Sequence, residues 1–380
     1  MIRWARAIVT CSIAVLLVWA SSSPGYGRVY PIKHPAIILK SDQRTVKVLA
    51  FSANGSQIAL AGDSGEVEIW DVLAARRLRT IKGSSQVFTL AFSPDGRHLA
   101  TSSADSKINV WQLQGDELPV SFDVPEAPVY SIGYTPDGNR IAAGCRDGLI
   151  RLYSIDGQLL HAFGDIISAI AVVDSPAGVR IAALETQGLR VWDGETGELV
   201  LTRALQLLPW LSAHSRHMGL EQNPMFFVSP EADFVAVASD RSPNSLPVPI
   251  YTLTVWSAMT AEKVIEWGGG FGWSLYAFSA WGNMIAESSL SGVSTVDIET
   301  GRELHRYHDV VRPFAFVQSL IFSPDAKWIV SGHDDGVVRI WKADRSRHVG
   351  YRHSKRVRLR PPVAGRVRGG WPDEPERLTR

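Results

Sequence analysis

Residues 92–111 read FSPDGRHLATSSADSKINVW, and they contain the pattern from which the fold can be inferred. It opens on a tight-turn motif in which Pro94 presets φ and Gly96 accepts a positive φ. It closes on Lys107–Trp111, where polar and apolar residues alternate as they do in a strand with one buried face. The stretch therefore predicts three short strands joined by two turns.

The same pattern recurs along the chain. The turn motif occurs seven times, with its Ser or Thr at positions 52, 93, 135, 175, 229, 279 and 323. Each motif is followed by an alternating run that ends on an aromatic or apolar residue: Trp70, Trp111, Tyr153, Trp192, Trp256, Val296 and Trp341. Repeats of about 40 residues with four strands are the size of a β-propeller blade. We therefore expect an all-β fold, a seven-bladed β-propeller of four-stranded antiparallel blades, over residues 36–345.

These repeats resemble the WD-repeat family. Trp70-Asp71 and Trp192-Asp193 carry the Trp-Asp dipeptide itself, and the resemblance extends over roughly residues 36–345. It implies structural roles for the closing aromatic residues and for turn aspartates, namely Trp70, Trp111, Tyr153, Trp192, Trp256, Trp341, Asp105, Asp147 and Asp335. It implies less about function, because one fold serves many functions.

The repeats also depart from the family pattern. The Gly-His pair expected before each first strand is missing, and Gly332-His333 lies late in a second strand instead. The family's buried tetrad of His, Ser or Thr, Asp and Trp is therefore predicted to be incomplete throughout, with His308 as the histidine available to the last repeat. Apolar packing would hold the blades together.

An N-terminal strand is expected to close the ring. Residues 36–40 stand where a fourth strand precedes the later repeats, and we expect them to pair with the last blade near Val337–Trp341. Such pairing removes the open edges of the sheet. Residues beyond about Arg345 would not be needed for closure.

The N-terminus has the three parts of an export signal. Arg3 and Arg6 precede an uncharged run over residues 7–20, which is too short to span a bilayer. We expect a signal peptide over residues 1–20, cleaved between 20 and 27, a linker over 21–35, and a secreted or periplasmic protein that is not transmembrane after cleavage. A membrane anchor through residues 7–20 is the alternative.

Charge is unevenly distributed. Lys plus Arg is 39 and Asp plus Glu is 38, but 11 basic and 3 acidic residues fall in residues 345–380. We expect residues 346–380 to be a basic disordered tail that could contact an anionic surface. An exported protein is not expected to bind nucleic acid. Without the signal peptide the single cysteine is Cys145, which lies in an apolar stretch and reads as a small buried hydrophobic residue.

Repeat five carries the longest insertions. From Trp192 to Phe227 there are 35 residues, against 22 from Trp70 to Phe92, and the second connection of the repeat is also longer. Both insertions should emerge on the same rim of a propeller, and insertions usually mark the binding face. The candidate partner-binding residues are Trp210, His214, Arg216, His217, Arg241, Asn244 and Leu246. The alternative is an insertion that folds back onto its own blade.

The sequence was also searched for residues that could bind a metal or act in catalysis. The pairs His214/His217 and His305/His308 have a ligand spacing but lack a third ligand, so we predict no metal site and no cofactor. Five turn aspartates could lie near the central channel of the propeller: Asp63, Asp105, Asp147, Asp240 and Asp335. The simpler explanation is that they form hydrogen bonds within their turns, and the alternative is that they bind a cation. No nucleophile elbow, phosphate loop or metalloprotease helix is recognisable, and no catalytic residue is predicted.

The sequence therefore favours a non-catalytic scaffold in the periplasm or extracellular space. It would bind a protein or peptide through one propeller rim and the insertions of repeat five. The first alternative is a propeller enzyme, or a cofactor- or metal-binding protein, with its site at the central rim. The second is a polyanion-binding surface protein that acts through the basic tail.

Overall fold

The computed structural model describes most of residues 32–343. It leaves out 84, 116–117, 125–127, 164–168, 176–177, 186–187, 195, 204–224, 230–233, 241–249, 258–261, 272–274, 281, 290–291 and 310–314. The described residues belong to a compact unit that ends at Asp344, and the second unit, Arg345–Arg380, lies outside them. The predicted signal peptide and basic tail also lie outside them.

The described strands form seven sheets, six of four strands and one of five, and the first two strands of the chain join the last two sheets. The first two strands are β1 (Ile32–Lys33) and β2 (Ile37–Lys40). Blade 1 is β3 (Val48–Phe51), β4 (Gln57–Ala61), β5 (Glu66–Asp71) and β6 (Arg76–Lys82). Blade 2 is β7 (Val87–Phe92), β8 (His98–Ser103), β9 (Lys107–Gln112) and β10 (Val120–Asp123). Blade 3 is β11 (Val129–Tyr134), β12 (Arg140–Cys145), β13 (Ile150–Ser154) and β14 (Leu159–Phe163).

The remaining blades follow the same order. Blade 4 is β15 (Ala169–Ser175), β16 (Gly178–Glu185), β17 (Gly188–Asp193) and β18 (Leu199–Arg203). Blade 5 is β19 (Met225–Val228), β20 (Phe234–Asp240), β21 (Ile250–Ser257) and β22 (Lys263–Phe271). Blade 6 is β23 (Tyr276–Phe278), β24 (Met284–Ser289), β25 (Gly292–Asp297) and β26 (Glu303–Tyr307). Blade 7 is β27 (Val317–Phe322), β28 (Trp328–His333) and β29 (Val337–Lys342), completed by β2.

The blades form a closed ring. Consecutive strands within each blade pair antiparallel, and the innermost strand of each blade contacts the innermost strand of the next. The innermost strand of blade 7, β27, contacts β3 of blade 1. The predicted all-β, seven-bladed propeller is confirmed.

The predicted closing strand is confirmed as well. β2 pairs antiparallel with β29, and Ile37 lies opposite Ile340. The sequence did not indicate the strand before it. β1 pairs in parallel with β26 and gives blade 6 a fifth strand.

The recurring turn motif is held by its own hydroxyl group. In the second repeat the Ser93 Oγ accepts a hydrogen bond of 2.9 Å from the His98 amide and donates one of 2.6 Å to Asp95. In five other repeats the hydroxyl group likewise accepts a hydrogen bond from the backbone amide five residues later in the chain. These hydroxyl groups belong to Ser52, Thr135, Ser229, Ser279 and Ser323. These hydroxyl groups are buried, so the motif connects the first two strands of a blade with its polar atoms paired. The side chain of Ser175 lies outside the described residues.

Apolar clusters fill the spaces between adjacent blades. One cluster joins Leu39 of the closing strand and Val338 of blade 7 to Ile58 and Leu60 of blade 1. Another joins Tyr307 of blade 6 to Trp341 of blade 7. In the part of the chain that the structure describes, no helix is long and apolar enough to cross a membrane.

Candidate functional site

The connections of the blades emerge at two ends of the ring. We name the end that carries the Ser-Pro-Asp-Gly-type turns the lower rim. The upper rim carries the connections between second and third strands, and between each fourth strand and the next blade. Binding residues on loops are positioned by the rigid strands beneath them.

The partner-binding residues predicted from the sequence lie outside the described residues. Trp210, His214, Arg216 and His217 fall in 204–224, and Arg241, Asn244 and Leu246 fall in 241–249. The strands that precede these segments, β18 and β20, both end at the upper rim. These residues therefore stay a prediction.

Three innermost strands bulge at the upper rim. The register of the first strand shifts between Val87 and Thr89, between Val129 and Ser131, and between Val317 and Ser319. The extra residues are Phe88, Tyr130 and Gln318. A bulge takes a side chain out of the regular alternation and re-aims it, and bulges are frequent beside functional sites.

The bulges bring two aromatic rings together across a blade boundary. The centroids of Phe88 in blade 2 and Tyr130 in blade 3 lie 5.6 Å apart, with the ring planes inclined at 43°. Tyr130 is 52% exposed. Phe316 stands at the same rim before blade 7, is 48% exposed, and is held by two hydrogen bonds with Asp334. The upper rim therefore holds exposed aromatic side chains on a rigid base.

Polar side chains continue this surface over blade 1. The Lys47 ammonium lies 2.6 Å from the Asp63 carboxylate, which also accepts a hydrogen bond of 3.1 Å from the Gln86 amide group. The Lys47 and Asp63 side chains are 39% and 53% exposed. An exposed pair of this kind adds little to stability and can exchange partners. We refer to the surface across blades 7, 1, 2 and 3 as the rim arc, formed by Lys47, Asp63, Gln86, Phe88, Tyr130, Phe316 and Gln318.

The turn aspartates of blades 3 and 7 bind arginines of their own blades. Asp147 lies 2.6 Å from the Arg151 guanidinium, and Asp335 lies 3.0 Å from that of Arg339. Burial raises the pKa of each carboxyl group, but hydrogen bonds from the arginine and from a backbone amide outweigh it and lower the pKa overall. Asp105 accepts the Lys107 amide at 3.2 Å. These carboxylates shape turns.

The structure does not gather the predicted metal-ligand candidates. Among the residues described, no group of three or more His, Cys, Asp or Glu side chains is placed to hold a metal ion. Asp63 pairs with Lys47, while His214, His217 and the side chain of Asp240 lie outside the described residues. Cys145 is buried and is a free thiol.

Blade 7 contains a buried hydrogen-bond chain, and its histidine is His333 rather than the predicted His308. The Trp341 indole donates to Ser331 Oγ at 2.9 Å, and Ser331 Oγ lies 2.9 Å from His333 Nε2. His333 Nδ1 lies 3.2 Å from the Ala315 carbonyl oxygen, which only accepts, so Nδ1 carries the proton and Nε2 accepts from the serine.

His333, not His308, therefore serves the last repeat. Ser331 and His333 are two residues apart on one strand and share a face, which a Gly-His pair placed late in the second strand makes possible. Burial, helped by the nearby Arg339 charge, lowers the pKa of His333 to about 4. The histidine is neutral at physiological pH.

In other repeats the side chain that closes the alternating run has a different environment from that of Trp341. The Trp111 indole donates to Thr101 at 3.0 Å, and the Trp70 indole donates to Glu68 at 2.8 Å. Tyr153 and Trp192 are buried, Trp256 is half-buried, and Val296 takes the corresponding place in blade 6. In the described structure the buried Tyr153 hydroxyl has no hydrogen-bond partner.

Comparison with known proteins agrees with this architecture. The WD40 family model (WD domain, G-beta repeat) matches residues 75–112, 117–154 and 310–342. These matches cover blades 2, 3 and 7, which are the blades whose innermost strands bulge at the upper rim. No curated protein matches the chain. The chain carries WD40 repeats at these three positions, and its seven sheets form the closed ring of a β-propeller.

Neither the turn motif nor the closing aromatic residue of a repeat indicates the bulged positions of the rim arc. Phe88, Tyr130 and Gln318 each stand five residues before the Ser or Thr of their turn motif. Aligning the repeats on that residue would have placed them at one position of the blade. Their bulges and exposure depend on strand pairing, which the alternation of residues does not reveal.

Proposed function

We propose that this propeller is a non-catalytic scaffold that binds an exported protein or peptide through the rim arc. WD40 repeats are typical of protein-interaction scaffolds, and that coarse assignment follows from the repeats themselves. The observation that carries the finer proposal is the contact of the exposed Tyr130 ring with the half-buried Phe88 ring at the bulges of adjacent innermost strands.

Several features suit this pair to partner binding. Aromatic side chains are enriched among the residues that contribute most binding energy at protein interfaces. The pair lies on paired strands, so little conformational freedom would be lost on binding. The neighbouring Lys47–Asp63 pair supplies an adjustable polar edge, as interfaces with an apolar centre have.

The insertions of blade 5 would enlarge the same surface. Their flanking strands end at the upper rim, and Trp210, Arg216 and Arg241 are residue types common at interface centres. We therefore propose that the partner spans the rim arc and the two insertions.

The predicted export signal supports the choice of partner. The N-terminal residues have the composition of a signal peptide, so we place the protein in the periplasm or extracellular space and its partner there as well. The basic residues of 345–380 support a second candidate, in which the chain contacts an anionic surface independently of the ring.

The proposal is tested by affinity capture from the envelope and extracellular fraction with the mature protein. The test variant combines Phe88→Ala and Tyr130→Ala. The matched control combines Leu73→Ala and Leu118→Ala, which remove two exposed apolar side chains, 74% and 91% exposed, from lower-rim connections. We expect one partner to be captured by the wild-type protein and the control but not by the test variant.

Other results would point elsewhere. Equal capture by all three proteins would contradict binding through the rim arc. Capture that is lost only when residues 345–380 are deleted, and that falls steeply with added salt, would favour the anionic-surface candidate.

A further inference from the structure

The boundary between blades 5 and 6 contains a buried carboxyl group. Glu287 on β24 is 7% exposed. In blade 6, Ile285 lies opposite Val296, just as Ile329 lies opposite Trp341 in blade 7. Position 285 in blade 6 therefore corresponds to position 329 in blade 7. Glu287 therefore stands at the strand position that Ser331 occupies in blade 7, where a small neutral hydroxyl group accepts the indole hydrogen bond.

Blade 6 also lacks the aromatic residue that fills this place in other blades. Val296 is smaller than tryptophan, and a cavity of about 10 Å³ adjoins it. The cavity walls come from both blades: Leu253, Val255, Ile265, Trp267, Tyr276, Ile285, Glu287, Val296 and Ile298. A space of this size holds at most about one water molecule. Apart from Glu287, its walls carry no ionisable carboxyl or basic group.

Donors from both blades meet the carboxyl group. The Tyr276 hydroxyl of blade 6 lies 3.2 Å from one oxygen, and the Trp267 indole of blade 5 donates a further hydrogen bond. The charged groups that act on it are Glu303 and Arg306 of β26, which form an ion pair with each other. Burial is the dominant influence and, with Glu303, raises the pKa of Glu287 to about 7.

We propose that the boundary between blades 5 and 6 is a protonation-controlled joint. With Glu287 neutral, the joint is closed and dry: the carboxyl group accepts from the Trp267 indole, and its O–H donates to the Tyr276 hydroxyl oxygen 3.2 Å away. With Glu287 ionised, the charge requires water that the cavity is too small to supply, so the two blades separate locally and admit solvent. The joint acts independently of the rim arc and goes beyond the proposed function.

The sign of the pH dependence follows from the raised pKa. The folded chain keeps this proton between the usual value near 4.5 and about 7, whereas the unfolded chain has released it. The contribution of Glu287 to the free energy of unfolding therefore falls as pH rises through this window and is constant above it. The corresponding unfolding equilibrium constant should rise roughly 100-fold or more across the window.

Hydrogen–deuterium exchange of the full mature protein, at roughly pH 6 and pH 8.5 and corrected for the intrinsic exchange rate, tests the joint. We expect β22 and β24 to exchange faster at the higher pH in the wild-type protein. Glu287→Gln is nearly the same size and keeps an acceptor oxygen but cannot ionise, so its exchange should stay slow at both values. Glu198→Gln, which changes an exposed glutamate in blade 4, should leave the wild-type response of blades 5 and 6 intact.

A second readout uses the unsubstituted protein. The indole N–H resonance of Trp267 reports the charge of its acceptor, so it should titrate near neutral pH. An indole resonance that does not move through this range overturns the proposal. So does a pH response of blades 5 and 6 that persists unchanged in Glu287→Gln.

Discussion

The indole nitrogen of Trp70 donates a hydrogen bond of 2.8 Å to the carboxylate of Glu68, two residues earlier on the same strand. Glu68 is fully buried, and its other carboxylate oxygen accepts from the Ser41 hydroxyl at 3.0 Å and from the Asp42 amide at 2.9 Å. Ser41 and Asp42 directly follow β2, the strand that completes blade 7. One carboxylate in blade 1 therefore anchors the segment that closes the ring.

Replacing this carboxylate should weaken the whole ring. Glu68→Ala leaves the Trp70 indole and the Asp42 amide without their acceptor, and we expect the free energy of unfolding to fall by about 3 kcal/mol. Glu68→Gln keeps an acceptor and should cost less. Urea denaturation measures both, with the exposed Glu198→Ala as the control. A loss in Glu68→Ala no larger than in the control would show that the anchor is dispensable.

His333 should make the protein sensitive to acid. Its pKa is about 4 in the folded chain against 6.5 ordinarily, so its stabilising contribution is present above pH 6.5 and is lost as pH falls towards 4. Over this pH interval, we expect the free energy of unfolding to fall by about 3 kcal/mol less in His333→Gln than in the wild-type protein. The measurement is the urea midpoint as a function of pH, and His161→Gln, at an exposed position, serves as control. Parallel pH profiles for wild type and His333→Gln would contradict the prediction.

The aromatic pair of the rim arc should matter little for folding. Tyr130 is half exposed, so Tyr130→Ala is expected to lower the free energy of unfolding by about 1 kcal/mol or less. A double-mutant cycle with Phe88→Ala should give a coupling of about 0.5–1.5 kcal/mol from the ring contact. A much larger loss of stability would assign the pair to the core and weaken its case as a binding surface.

Truncation from the N-terminus should separate the roles of the first two strands. A chain that begins at residue 36 lacks β1 but keeps β2, and we expect it to fold with the lower stability of a four-stranded blade 6. A chain that begins at residue 41 lacks β2 and leaves β29 with an open edge, so we expect it to lose cooperative unfolding or to associate. Calorimetry and size-exclusion chromatography distinguish these results. Identical behaviour of both truncations would contradict a closing role for β2.

The parts of this fold that could be predicted are those encoded in local patterns. The turn motif around Ser93 and the alternation that ends at Trp111 define a blade without reference to the rest of the chain. The pairing of β2 with β29 followed from counting four strands per repeat. β1 could not be predicted in this way, because two residues carry no periodicity.

The details of the site depend on which residues share a face. Glu68 reaches the Trp70 indole, and His333 reaches Ser331, because residues two apart on a strand point the same way. A family pattern with its histidine elsewhere led to His308 instead. The exposure of Tyr130 depends on a bulge, which strand pairing across the blade creates. The role of the blade 5 insertions remains a prediction because those residues lie outside the described part of the chain.

The pairing of Ile37 with Ile340 also sets the order in which the molecule can be completed. The two partners are separated by roughly 300 residues, so the loop that must close contains nearly the whole propeller, and such long-range pairing is slow. During synthesis from the N-terminus, β2 stays unpaired until β29 of the last blade has been made. Six blades can stack before then, but the ring is finished only when the final strand has emerged, and until that moment the unpaired edge of β2 is available to chaperones or to other chains.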